Sequence, residues 1–154
     1  MIATHRNLLV MVWHGQPAEA MLKRLEALVQ GPLEQQDSVL TLTVIEQSAA
    51  PPSADIRKAI ARLMDSKANR IRASALVFEG NGFRASTVRS VATGLSLLAR
   101  RPYPHRTFAT VKEAAMWLSL EDRCSIEPDD IAAVVQRTRK VVQSLSPVRQ
   151  EGVT

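Results

Sequence analysis

Four short apolar runs, each followed by a stretch of helical periodicity, constrain what this chain can fold into more than any other feature. The runs are Leu8 to Trp13, Val39 to Glu46, Ser74 to Phe78 and Arg106 to Ala109. Strand then helix, repeated with connections of ordinary length, calls for a largely parallel sheet, because a parallel neighbour is reached only through a crossover. Leu8 to Trp13 is apolar throughout rather than alternating, the pattern of a strand covered on both faces. Val39 to Glu46 is rich in β-branched residues and reads as a central strand.

The helices between these runs carry their own start and stop signals. Pro17 suits the first position of a helix, where its missing N–H costs nothing. Ala18, Met21, Leu22, Leu25, Leu28 and Val29 then form one apolar stripe, which Gly31 and Pro32 end. Ser53 is an N-cap, with Asp55 in the positively polarised first turn and Ile56, Ile60, Leu63 and Met64 on the inner face. A third helix is expected from about Arg84 to Ala99, and Thr110 caps a fourth with Ala114, Ala115, Trp117 and Leu118 facing inward.

The remainder differs in kind. Glu121 to Glu127 reads as a polar linker, and Pro128-Asp129-Asp130 starts a helix. Ile131, Val134, Val135, Val141, Val142 and Leu145 form one apolar stripe, with Arg137, Arg139 and Lys140 off it. A stripe of that length must be buried. The bare face of the sheet, a twin helix in a homodimer and a partner protein all offer a place. The expected organisation is one α/β domain over residues 1–120, followed by a linker and interaction helix over 121–154 that packs on the domain or in a dimer.

Composition narrows the function classes. Aromatic residues make up 4% of the chain, so the core is aliphatic and a stacking platform for single-stranded nucleic acid is disfavoured. The formal charge of +5 suits acidic partners, though a net charge of this size also serves solubility. The one cysteine, Cys124, excludes an internal disulfide and a zinc ribbon and points to a reducing compartment. The apolar run near the start is too short for a signal-peptide core or a membrane span. The expectation is a cytoplasmic protein without cofactor or metal.

The stretch RTFATVKEAAMWL, with Phe108, Thr110, Glu113, Ala114, Trp117 and Leu118, resembles the closing strand, capped turn and short helix of the SpoIIAA-like branch of the STAS/CRAL-TRIO-type domains. The opening NLLVMVWHGQ and the ALVFEG strand are similar too, so the resemblance runs from Asn7 to Leu120. It implies an α/β fold with a four- or five-stranded, mostly parallel sheet and helices mainly on one face, to which this chain adds a C-terminal amphipathic helix. It also implies a non-enzymatic regulatory or ligand-binding role. STAS regulators carry a phosphorylatable serine in an Asp-Ser-(Ser)-Gly turn after a central strand. The matching place, Gln47 to Ala54, offers Ser48 and Ser53 as candidate switch residues but has neither the Asp-Ser pair nor the glycine, and the N-cap role accounts for Ser53.

Among binding candidates the turn after the third strand stands first. Gly80, Asn81 and Gly82 could bring backbone N–H groups to an anion, with Arg84, Ser86, Thr87 and Arg89 adding donors. The plainer reading is that the glycines make the turn and the hydroxyls satisfy amides at the helix start. The spacing is neither that of a phosphate loop nor of a dinucleotide fingerprint. A second basic group, Arg100, Arg101, His105 and Arg106, surrounds Tyr103. His5, His14 and His105 lack a metal-ligating spacing, and no Ser or Cys lies in a nucleophile motif. Glu46 and Glu79 stand at the carboxyl ends of neighbouring strands, where α/β sheets place ligands, although strand-end acids are more often solvated.

The expected function is a regulatory or protein-interaction module, not an enzyme, acting through a protein partner or a homodimer. The alternative is an anionic small molecule or lipid head group held near Arg84 and Arg89, and an enzyme comes third.

Overall fold

The computed structural model describes residues 1–14, 19–31, 34–49, 53–80, 102–121 and 126–145. Among them are five strands in one sheet of order β1-β2-β3-β4-β5. They are β1 (Ile2–His5), β2 (Leu8–Trp13), β3 (Val39–Ile45), β4 (Ile71–Phe78) and β5 (His105–Phe108). Strands β2 to β5 pair parallel, and β1 pairs antiparallel with β2. The described helices are α1 (Glu19–Gln30), α2 (Ala54–Ser66), α3 (Val111–Glu121) and α4 (Pro128–Leu145).

The mostly parallel sheet follows from the strand–helix alternation. The hairpin strand β1 is an addition, because its tight turn at Arg6 and Asn7 carries no glycine to signal it. Arg6 itself adopts the left-handed backbone (φ 52) that such a turn requires. β4 begins at Ile71, earlier than its apolar run, and a register shift between Val39 and Leu40 leaves Arg72 out of the ladder.

Alternation along β2 explains its unbroken apolar run. Leu8, Val10 and Val12 face one cluster, while Leu9 and Met11 face another, and all five are at most 3% exposed. A sheet whose order follows the chain steps always in one direction, so right-handed crossovers deposit their helices on a single face. Accordingly α1 and α2 share one face, packing Leu25 and Val29 against Leu9, Met11 and Val39. Among the described residues the opposite face is covered by the C-terminal part of the chain.

That face is covered by α3, over β3 to β5, and by α4, over β1 and β2. The four described helices thus divide two and two, and the added helix occupies the side that the resemblance leaves partly open. Ile131, Val134 and Val135 are buried against Leu8, Val10 and Val12 and their neighbours. Each such side chain contributes about 1.5–3 kcal/mol through burial. Of the three burial sites open to the stripe, the sheet face is therefore the one these residues take.

The stripe does not continue as its spacing suggests. After Val135 the buried position is Thr138, whose hydroxyl donates to the Val134 carbonyl at 2.8 Å, whereas Val141 is 46% exposed. The side chains of Val142 and Leu145 lie outside the described part. Length accounts for the change: an 18-residue helix spans about 27 Å, against about 20 Å for the six-residue β2. The helix outruns the sheet. The linker before it is less polar than its composition suggests, since Ile126 is fully buried in the same cluster.

At the start of α3, the Thr110 hydroxyl accepts from the Glu113 amide (3.2 Å) and the Glu113 carboxylate accepts from the Thr110 amide (3.1 Å), a reciprocal capping box. Trp117 packs on Phe108 with ring centroids 5.5 Å apart, and the Arg106 guanidinium lies over its ring. Arg106, one of the second basic group, is thus engaged in packing, and Tyr103 beside it is buried.

Candidate functional site

Register builds the site. Trp13 pairs with Ile45 and Ile45 with Phe78, so the next residues along, His14, Glu46 and Glu79, stand in one row at the carboxyl ends of β2, β3 and β4. The ladder extends to hold them: the Glu46 amide donates to the Trp13 carbonyl at 3.2 Å and the Glu79 amide to the Ile45 carbonyl at 3.0 Å. Each has the parity of residues facing α3 and α4: Val12, Val44 and Val77 immediately precede them in phase. Parallel strands stand roughly 4.8 Å apart, so three polar side chains on one face at one level must meet.

They meet around a residue from the far end of the chain. Arg139 of α4 donates from Nε to Oε1 of Glu46 at 3.1 Å, and its Nη2 lies 2.6 Å from Oε1 of Glu79. The second contact is an ion pair whose angle is not that of a hydrogen bond. Arg139 is 17% exposed, Glu46 20% and Glu79 32%, so the guanidinium sits largely out of water between two carboxylates. This is the point at which α4 passes the strand ends.

The other oxygen of Glu46, Oε2, lies 2.6 Å from His14 Nδ1, and Ser48 Oγ lies 3.2 Å from the same nitrogen. A carboxylate only accepts, so His14 Nδ1 carries the proton in this contact. Ser48 and Glu46 share that one ring nitrogen, whereas an acid–base triad needs the hydroxyl and the acid on opposite nitrogens. The histidine side chain is 45% exposed, and the row ends at the surface.

The sequence-derived candidates distribute as follows. Ser48 joins the cluster. Ser53 is the N-cap of α2, accepting from the Ile56 amide at 3.3 Å. Gly80, two residues past the end of β4, has φ 143, a conformation that favours glycine. Asn81, Gly82, Arg84, Ser86, Thr87 and Arg89 lie outside the described residues, as do Arg100, Arg101 and Cys124. Ile131, Val134 and Val135 serve the core. Glu46, Glu79 and His14, which the sequence offers only as general suspects, are brought together. Arg139, which the sequence places off the stripe, joins them.

At the opposite end of the sheet Glu34 forms a second ionic group. Its carboxylate takes Lys67 Nζ at 2.7 Å and Arg70 Nη2 at 3.4 Å, and its carbonyl takes Arg70 Nη1. The hydrogen bond from Lys67, with the two positive charges, holds the Glu34 carboxyl below the usual carboxylate range. The group borders an apolar cleft between α1 and α2 lined by Val29, Val39, Leu63 and Met64.

Among the described residues no three His, Cys, Asp or Glu side chains are placed to hold a metal ion, and no helix is long and apolar enough to cross a membrane. No protein-family model matches the chain, and no curated protein matches it. Solved structures do match, among them that of an uncharacterised DUF3478-family protein with a SpoIIAA-like fold from Shewanella loihica PV-4. It aligns with a TM-score of 0.53 over 77% of this chain and 90% of that one. The fold is SpoIIAA-like. At 14% identity the likeness concerns the fold alone, and Arg139 reaches the site from a helix added to the part for which the sequence resembles SpoIIAA-like domains.

Proposed function

We propose that this SpoIIAA-like chain is a non-enzymatic regulatory or protein-interaction module whose docking surface is the strand-end row of His14, Glu46 and Glu79 with Ser48 beside it. The observation that supports it most is the mutual engagement of the charges. Arg139 binds both glutamates and Glu46 also binds His14. Carboxylates held in this way are spent on geometry and do not stand ready as a general acid and base. Ser48 shares the nitrogen already given to Glu46, which leaves it unactivated as a nucleophile. What the surface offers is a positioned imidazole and a hydroxyl, groups suited to reading a partner's polar atoms.

Site-specific photocrosslinking tests this reading. A benzophenone side chain at position 48 is expected to yield a discrete crosslinked protein in cells, and His14→Ala in the same background to abolish it. A crosslink to a second copy of the chain would make the partner itself. A yield no higher than from exposed Lys58 on α2 would overturn the proposal.

A second reading is an anionic small molecule or lipid head group taken by Arg84 and Arg89. Gly80, two residues past β4, has φ 143, a backbone conformation that favours glycine, and this is the observation that supports it. An Arg84→Ala variant with unchanged phosphate and lipid binding would remove its support.

A further inference from the structure

We infer that Arg139 is a positioning residue for His14, acting through Glu46 to set which imidazole nitrogen faces outward. Each Glu46 oxygen has its own partner, Arg139 Nε on Oε1 at 3.1 Å and His14 Nδ1 on Oε2 at 2.6 Å. The guanidinium fork is planar and spans Glu46 and Glu79 together, so Glu46 cannot rotate its carboxylate without breaking an ion pair that is mostly shielded from water. A carboxylate fixed in that plane keeps the proton on Nδ1 and leaves Nε2 as the nitrogen that exchanges its proton or accepts from a partner. Orientation of a histidine by a carboxylate, itself held by a further group, is the arrangement by which proteins fix a tautomer.

Three features set this apart from a merely structural ion pair. His14 is the exposed member of the row at 45%, whereas Arg139 and Glu46 behind it are 17% and 20% exposed. The order from surface to interior is thus imidazole, carboxylate, guanidinium. The contact also crosses from the strand ends to α4, so a helix packed for burial delivers a functional group to the surface of the sheet. Finally, Nδ1 protonation is the tautomer opposite to the one that imidazole side chains prefer in water, so a 2.6 Å contact from Nδ1 to a carboxylate is a cause that would be needed to hold it. The inference deepens the docking reading above and rests on it for the meaning of Nε2, but it is measured on the chain alone without a partner. Its failure is therefore distinct from the failure of that reading.

The experiment is long-range proton–nitrogen correlation NMR on the full chain with labelled histidine, assigned to His14 by comparison with His14→Gln. The expected result is a neutral ring protonated at Nδ1 with bare Nε2. Arg139→Gln, with a folded circular dichroism spectrum, is expected to lose that preference and give mixed or Nε2-protonated signals. Arg139→Lys supplies a charge without the fork and is expected to restore it in part. Glu46→Met, which removes the acceptor directly, is expected to give the same loss as Arg139→Gln. If Arg139→Gln does not stay folded, Glu79→Gln, which frees one arm of the guanidinium, is expected to weaken the preference instead. A wild-type ring protonated at Nε2, or a tautomer unchanged in every folded variant, would overturn the inference.

Discussion

Arg139 and Glu46 are 93 residues apart in the chain and joined at 3.1 Å by Nε and Oε1, where the C-terminal helix passes the end of the third strand. The contact does two things at once. It pins the helix that closes the second face of the sheet, and it orders the polar row at the strand ends. The ion pair is partly shielded, with both partners four-fifths or more buried, and Glu79 stands close behind. Removing the guanidinium leaves two carboxylates facing each other. Arg139→Met is therefore expected to destabilise the chain by about 1–3 kcal/mol, below the cost of breaking a fully buried pair. A double-mutant cycle with Glu79→Gln, read by urea unfolding, is expected to give a coupling of at least about 0.5 kcal/mol. Additive effects would show that the two residues act apart.

The helix itself is held by its first half. Ile131 is fully buried against the β2 side of the sheet, whereas Val141, beyond the strand ends, is 46% exposed. Ile131→Ala is expected to cost about 3 kcal/mol through lost burial and the cavity left behind. Val141→Ala is expected to stay within about 0.5 kcal/mol of wild type. Truncation after Leu120 should bare Leu8, Val10 and Val12 and give a chain that binds hydrophobic dyes or aggregates. A truncated chain that melts like the full one would mean that α4 is not part of the core.

How much of this was readable in the chain depends on whether a feature has a local signal. The sheet and its described helices were, because alternation, stripes and caps repeat within a few residues, as at Ser53 and Thr110; the helix expected from about Arg84 to Ala99 lies outside the described residues. β1 was hidden by its turn, where Arg6 does what a glycine usually does and so gives no sign. Three members of the site were legible in principle. His14, Glu46 and Glu79 each stand at the end of an apolar run, and parity puts all three on the same face. Arg139 was not, since a charge beside an apolar stripe ordinarily faces water. Its meaning depends on where a 27 Å helix ends over a 20 Å strand, both lengths about as estimated from residue counts. Thr138 is the one hint: a polar residue in a stripe position, four residues after Val134, marks where the apolar contact stops.

The capping box at α3 gives a prediction free of the site. Thr110 and Glu113 each satisfy the other's amide, at 3.2 and 3.1 Å. Thr110→Ala is expected to cost about 1 kcal/mol, and Glu113→Ala less, because the exposed Thr110 amide can turn to water. The Trp117 fluorescence melt reads both, since that ring packs on Phe108, two residues before the cap. Equal and negligible losses would show that burial of Ala114, Ala115 and Leu118 alone holds the helix.

Acid sensitivity should trace to the far end of the sheet. The hydrogen bond from Lys67, assisted by the charges of Arg70 and Lys67 and opposed by desolvation, lowers the Glu34 carboxyl below its ordinary value. A carboxylate with a depressed folded pKa binds its proton more readily in the unfolded chain. Its stabilisation is therefore full above the unfolded value, about 4.3, and is lost as pH falls through the lower folded value. Urea midpoints measured against pH are expected to show wild type above Glu34→Gln at neutral pH. The gap should shrink across the acid range below the ordinary carboxylate value. A Lys67→Met variant should flatten the same limb, since it removes the largest cause of the shift. A gap that stays constant down to the most acidic pH at which the chain folds would assign the acid limb to other carboxylates, with Glu34 acting only as a neutral hydrogen-bond acceptor for Lys67.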